Sequence, residues 1–188
     1  MKTGKWKLNT LIYIAVLAAM VYVITIFRFP LMGSQVHFAN AVCLLAGMLL
    51  GPVPGGIAAG LGSALYDVFG SGRDIIEALI TFVSKFAMAY VCGLLMNVSG
   101  SRRDKIDRTV FCAIAGALTY VALYMLKTYV YQRLVYGYPL KSVGLTMWSK
   151  LIPSLINALV AVVAAPIFYH AVKPALKGLG LLEINETK

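Results

Sequence analysis

Apolar residues come in long runs separated by short polar or glycine- and proline-bearing gaps, and the run lengths predict helices rather than strands. The first run, residues 8–27, is about 20 residues, which at about 1.5 Å per residue spans the roughly 30 Å of a bilayer core. The gap at 28–38 holds Pro30, Gly33, Ser34, Gln35 and His37 and reads as a loop. Two short runs follow, 39–50 and 54–69, on either side of a Gly-Pro-Val-Pro-Gly hinge at 51–55. At twelve and sixteen residues they fall below the length expected of a crossing, so they form a shortened, tilted pair or a re-entrant hairpin. The orientation of later spans is the same under both readings. Runs at 75–96, 108–131 and 145–170 complete the pattern. In the last of them Pro153 and Pro166 are kink candidates, and Pro174 is expected to end the helix. The basic flank at 1–7 precedes a run longer than the roughly 7–15 apolar residues of a signal peptide, with no small-x-small cleavage site after it. It reads as a retained span.

The predicted fold class is an all-α membrane protein: one integral membrane domain over residues 1–188, a six-transmembrane-helix bundle. Composition agrees, with 60% hydrophobic and 13% charged residues and a mean hydropathy of +0.82. Soluble domains average about 45–50% apolar and about 25% charged. The net charge of +10 would suggest nucleic acid in a soluble chain, but its placement has a simpler cause. Given six crossings, Lys2, Lys5, Lys7, Arg102, Arg103, Lys105, Arg108, Lys173, Lys177 and Lys188 fall on the side of the termini. Only Arg28, Arg73, Arg133 and Lys141 fall opposite. The positive-inside rule then puts both termini in the cytoplasm, with no nucleic-acid partner required. Cys43, Cys92 and Cys112 lie inside apolar runs without Cys-x-x-Cys spacing and read as small buried hydrophobes.

The remaining basic residues, Lys85, Lys127 and Lys150, lie inside spans. A charge at the bilayer centre costs about 2.5–3.5 kcal/mol on insertion scales and marks a functional position by default. Counted from the outer ends, Lys150 lies about 8 Å deep, Lys85 about 15 Å and Asn157 about 18 Å. His37 and Asn40 open the second run from outside, and Asp67 lies near the outer end of the third. The inner stretches 86–96, 110–118 and 158–168 carry no charge and no carboxamide. A channel needs polar groups through the full depth; this pattern describes a pocket open to the outside above an apolar floor. Tyr120, Tyr124, Lys127 and Tyr131 share one helix face, and Lys150, Ser154 and Asn157 share another. Tyrosines beside lysines can stack on a ring and anchor an anionic group. The competing reading is an interfacial aromatic belt with snorkelling lysines. Asp67 has a structural alternative as the neutralising partner of Lys85 or Lys127. Asp74 and Glu77 suit a helix N-terminus, and His37 has no second ligand at metal-binding spacing.

Three stretches carry a family resemblance. The run VHFANAVCLLAGMLLGPVPGGIAAGLGSALYDVFGSG, then ITFVSKFAMAYVCGLL, then IPSLINALVAVVAAPIFY resemble the second to fourth and sixth spans of the substrate-binding S component of energy-coupling factor (ECF) vitamin transporters, closest to the riboflavin-type branch. The likeness implies a bundle that captures a vitamin or precursor from outside and has no ATPase of its own. It implies that the Ala15-xxx-Ala19 face docks on a transmembrane T subunit driven by two ATP-binding subunits. It further implies that the loop 28–38 is a lid, that the whole component topples during transport, and that the protein sits in the cytoplasmic membrane of a prokaryote. Under this reading the chain needs no cofactor, ATP being used by the partner subunits. His37, Asn40, Asp67, Lys85, Tyr124, Lys127, Tyr131, Lys150 and Asn157 are the candidate substrate contacts. The lysines favour an anionic substrate, pantothenate-like or flavin-like. An integral membrane enzyme acting on lipid is the alternative, but the acidic residues form no cluster and no nucleophile has a histidine at depth. A stand-alone solute transporter is the third reading, and the dry inner halves argue against a channel.

Overall fold

The computed structural model describes residues 8–31, 34–98 and 105–178. Helix α1 (Leu8–Ile26) leads into a two-stranded antiparallel hairpin, β1 (Arg28–Leu31) and β2 (Ser34–His37), in the register Arg28 to His37 and Phe29 to Val36. The gap read as a loop therefore has regular structure, and the bundle carries a small β element. Then come α2 (Ala39–Leu50), α3 (Pro52–Leu65) with a π-helical turn at Tyr66–Gly70, and α4 (Ile75–Val98). They are followed by α5 (Ile106–Val130), extended by a second π turn at Tyr131–Val135, and α6 (Leu140–Gly178).

Helix α2 explains its own shortness. All twelve of its residues are buried, and α1, α3, α4, α5 and α6 all pack against it. An evenly apolar helix with no polar stripe is one that is enclosed on every side, so its length of about 18 Å is not set by exposure to lipid. Four helices are long and apolar enough to cross a membrane: α1, α4, α5 with its extension, and α6. Both α2 and α3 fall below that length. Leu11, Val16, Leu79, Leu118, Leu126, Leu159 and Ile167 are exposed on the long helices, and α3 also exposes Val53, Leu61 and Leu65. Large exposed aliphatic surface of this kind suits a lipid environment.

The α2–α3 hinge is tighter than the sequence implied. Gly51 alone separates the two helices, at φ +83°, and Pro52 opens α3 where a proline's missing N–H costs nothing. The long last helix also differs from expectation. It starts at Leu140 rather than 145 and runs through Pro153, Pro166 and Pro174 to Gly178. Prolines are tolerated in membrane helices because neighbours re-satisfy the freed carbonyls. At 39 residues, or about 58 Å, it is longer than the roughly 40–45 Å of a whole bilayer. Of the basic residues behind the topology argument, Lys2, Lys5, Lys7, Arg102, Arg103 and Lys188 lie outside the described residues.

Glycines let α4 close against the α2–α3 hinge. A Cβ on Gly93 would stand 2.7 Å from Gly47 O and from Pro52 N, both backbone atoms that cannot rotate aside. Gly93→Leu is therefore expected to lower stability by about 1–3 kcal/mol, the usual cost of overpacking. Gly144→Ala, at a helical site with open space around it, should leave stability unchanged or slightly raised. Thermal unfolding in detergent compares the two, and equal midpoints would refute the close-packing argument.

Candidate functional site

The polar side chains collect at the hairpin end of the bundle, around a cavity of about 490 Å³. Its wall holds five cationic side chains, Arg28, Arg73, Lys85, Lys127 and Lys150, and one carboxylate, Asp67. Below it the core is apolar: Leu44 and Met48 of α2, Met88, Cys92 and Met96 of α4, Cys112 of α5 and Ala161 of α6 are all buried.

Lys85 is the deepest charge in the site. Its side chain is carried by α4 toward α2 and is only 3% exposed. The ammonium donates to Asn40 Oδ1 and stands 3.8 Å from the centroid of the Tyr120 ring. None of the ion pairs among the described residues involves it. A carboxamide dipole and a π face are both weaker counterparts than a carboxylate, so the charge is only partly compensated. Tyr120 stacks on Tyr124 one turn later, with ring centroids 6.1 Å apart and planes 18° from parallel. Both rings are on the wall.

A chain of charges crosses the mouth. Arg73 reaches Asp67 Oδ1 at 3.5 Å and Glu77 at 3.8 Å, and Glu77 in turn reaches Lys127 at 3.8 Å. Asp67 thus pairs with Arg73, not with Lys85 or Lys127 as the sequence suggested, because the π turn and the loop after it fold Arg73 back over α3. Glu77 does more than decorate a helix start: it bridges α4 to α5. Asp74 does cap α4, accepting from the Ile75 N–H at 2.8 Å.

The hairpin roofs the cavity. Arg28 donates to Gln35 Oε1 at 2.6 Å and lies 4.7 Å above the Tyr66 ring. Asn157 Oδ1 accepts from the His37 N–H at 2.8 Å, and its Nδ2 donates to Gln35 O at 2.7 Å. Buried polar atoms normally have a partner. Here His37 Nδ1, Asn40 Nδ2 and Asp67 Oδ2 are buried with none, a concentration of unmet hydrogen-bonding capacity that fits a polar ligand.

Of the nine candidate contacts, His37, Asp67, Lys85, Tyr124, Lys127, Lys150 and Asn157 line the cavity. Asn40 is not on the wall; it stands behind Lys85 and holds it. Tyr131 is not on the wall either; it sits in the π turn with Lys127 5.6 Å above its ring. The sequence reading missed Arg28, Gln35 and Arg73, which it treated as loop residues, and it left Tyr120 off the candidate set although it shares the face of Tyr124 and Lys127. Ala15 and Ala19 are exposed on α1 beside Ile12 and Val16, whereas Ala18 is buried against Gly62 of α3.

Comparison with known proteins adds three findings. A family model described as ECF-type riboflavin transporter, S component, matches residues 5–174. A protein of Pyrococcus woesei, described as an uncharacterized protein in gap 3′ region, is 33% identical over 98 residues, 51% of this chain. The chain spans 64% of the length of that curated relative. A solved chain reported under "Structure and mechanism of the S component of a bacterial ECF transporter" gives a TM-score of 0.66 over 90% of this chain and 98% of its own, at 20% identity. At that identity the likeness speaks for the fold.

The roof also carries a titratable group. Burial, with Lys85 and Arg28 nearby, pushes the His37 imidazole down from 6.5 to about 3. The folded protein keeps this ring neutral, whereas the unfolded chain protonates it near 6.5. The stability it contributes is complete above pH 6.5 and is lost as pH falls toward 3. Thermal stability should therefore fall on acidification from about pH 7 to about pH 4.5, and less steeply in His37→Gln. Parallel slopes for the two proteins would assign the acid sensitivity elsewhere.

Proposed function

The chain belongs to the family of ECF-type riboflavin transporter S components, and from that membership we propose that it captures a vitamin or vitamin precursor at the outer face of a prokaryotic cytoplasmic membrane. It is a multi-pass membrane protein and a substrate-binding component, not an enzyme. Delivery would pass through a T subunit driven by two ATP-binding subunits, with the exposed Ala15 and Ala19 face of α1 as the docking surface. Small residues there allow a partner helix to approach closely. ATP is bound by those partners, and this chain requires no cofactor.

The substrate we propose is anionic, and the observation that carries this is Lys85. An ammonium 3% exposed, with a carboxamide and a ring as its only described partners, is costly until an anion reaches it. The surplus of cations on the wall acts in the same direction. The stacked Tyr120 and Tyr124 faces suit a ring or a flat chain. The volume of about 490 Å³ lies in the normal range for small-molecule sites, and both a pantothenate-like and a flavin-like solute are compatible with it.

Purification in mild detergent followed by mass spectrometry of the bound small molecule tests the substrate class directly. Lys85→Met should weaken binding of that molecule at least about 30-fold, the lower end for removing one partner of a buried charge pair. Tyr131→Phe, off the wall, should change it less than about threefold. Equal small effects would remove the charge-recognition argument. For docking, Ala15→Trp and Ala19→Trp should abolish cellular uptake while ligand affinity in detergent is retained. Normal uptake by both variants would eliminate α1 as the docking face.

A further inference from the structure

We infer that Asn157 is a positioning residue: it latches the hairpin, which the family resemblance already casts as a lid, over the cavity. The inference rests on reading the cavity as the solute site. Asn157 is 5% exposed on α6, and both its oxygen and its nitrogen are given to one strand. Its Oδ1 takes the His37 N–H and its Nδ2 gives to Gln35 O. In a parallel ladder, one residue bonds in this way to the two residues flanking its partner. The Asn157 side chain therefore imitates a single residue of a third strand set opposite Val36. It occupies the edge of β2 that faces away from β1, where open N–H and C=O groups would otherwise need water.

Among the described residues, β2 packs on α6 and the hairpin is continuous with α1 and α2, while β1 is fastened only lightly. Phe29 of β1 is 66% exposed and Leu31 is also exposed, so apolar burial contributes little on that strand. Arg28 meets the π turn after α3 at the Tyr66 ring, and its hydrogen bond to Gln35 stays within the hairpin. Two neutral hydrogen bonds, each modest in net strength, form a closure that thermal motion opens readily. The latched strand also carries ligand chemistry. His37 gives its N–H to Asn157, while its ring Nδ1 is buried without a partner and His37 lines the cavity. A solute group bonded to that nitrogen would hold the same residue from the other side, so that occupancy and closure reinforce each other.

Labelling tests this without any solute. In the full chain, Ser84→Cys places a thiol on the cavity wall behind the hairpin. Its reaction with a membrane-impermeant maleimide, resolved by peptide mass spectrometry, reports access through the roof. Adding Asn157→Ala should raise that rate at least about tenfold, as expected for losing two hydrogen bonds. Asn157→Asp, which can still accept from the His37 N–H but sets an oxygen against Gln35 O, should raise it by less. Cys92, fully buried in the apolar floor, serves as the internal reference and should remain unlabelled throughout. An unchanged rate in Asn157→Ala overturns the latch. So does parallel labelling of the introduced thiol and Cys92, which would mean that Asn157 holds the bundle together and not the roof. Neither result bears on the Lys85 reading, which is decided by ligand binding.

Discussion

A helix enclosed on every face constrains all that surrounds it. Because α2 meets neither lipid nor water, each of the other five helices must supply a complementary apolar surface, and the small residues of α3, α4 and α5 let them come close enough to do so. Its shortness has a second effect. The bundle around it is longer than it is, and the space beyond its N-terminal end is where the cavity lies, with Asn40 at the top of the helix. The uncancelled N–H groups of that first turn add a partial positive charge to the same region. Hairpin, lysines and tyrosines are all arranged around the end of one helix.

The charges divide by task. At the mouth, Arg73, Asp67, Glu77 and Lys127 satisfy one another in partly exposed pairs of the kind that contribute little to stability, and they tie α3, α4 and α5 together at the rim. At depth, the described partners of Lys85 are a carboxamide and a ring. The same charge costs far more there, because neither the Asn40 carboxamide nor the Tyr120 ring compensates it as a carboxylate would.

Much of this was readable in the sequence because a bilayer leaves a simple signature. Lys85 stands out in an apolar run, and helix periodicity set Tyr124 beside Lys127 and Lys150 beside Asn157. Depth along a helix follows from counting, so the polar roof and dry floor were foreseeable. What counting could not supply was the folding-back of segments between helices. Arg28 and Arg73 looked like loop charges because nothing local shows that a hairpin and a π turn carry them inward. The structural alternative for Asp67 named Lys85 or Lys127 as its partner, not Arg73, for the same reason. Asn157 lies on the expected face and lines the cavity, but its bonds to the β2 backbone were not foreseeable, since spacing locates an amide without revealing which backbone it meets. Pro174 was read as a helix end on soluble-protein grounds, which weaken where neighbouring helices and the surrounding membrane support the chain.

The glycine contact at the far end has a consequence for how such a body is emptied. Where Gly93 abuts the backbone at Gly47 and Pro52, no side chain is available to swing aside, and this contact cannot serve as a gate. If the cavity is the solute site, the apolar floor beneath it, as far as the described residues show, suits a vessel and not a conduit. On that reading the cavity would be emptied through its hairpin end and not past Gly93.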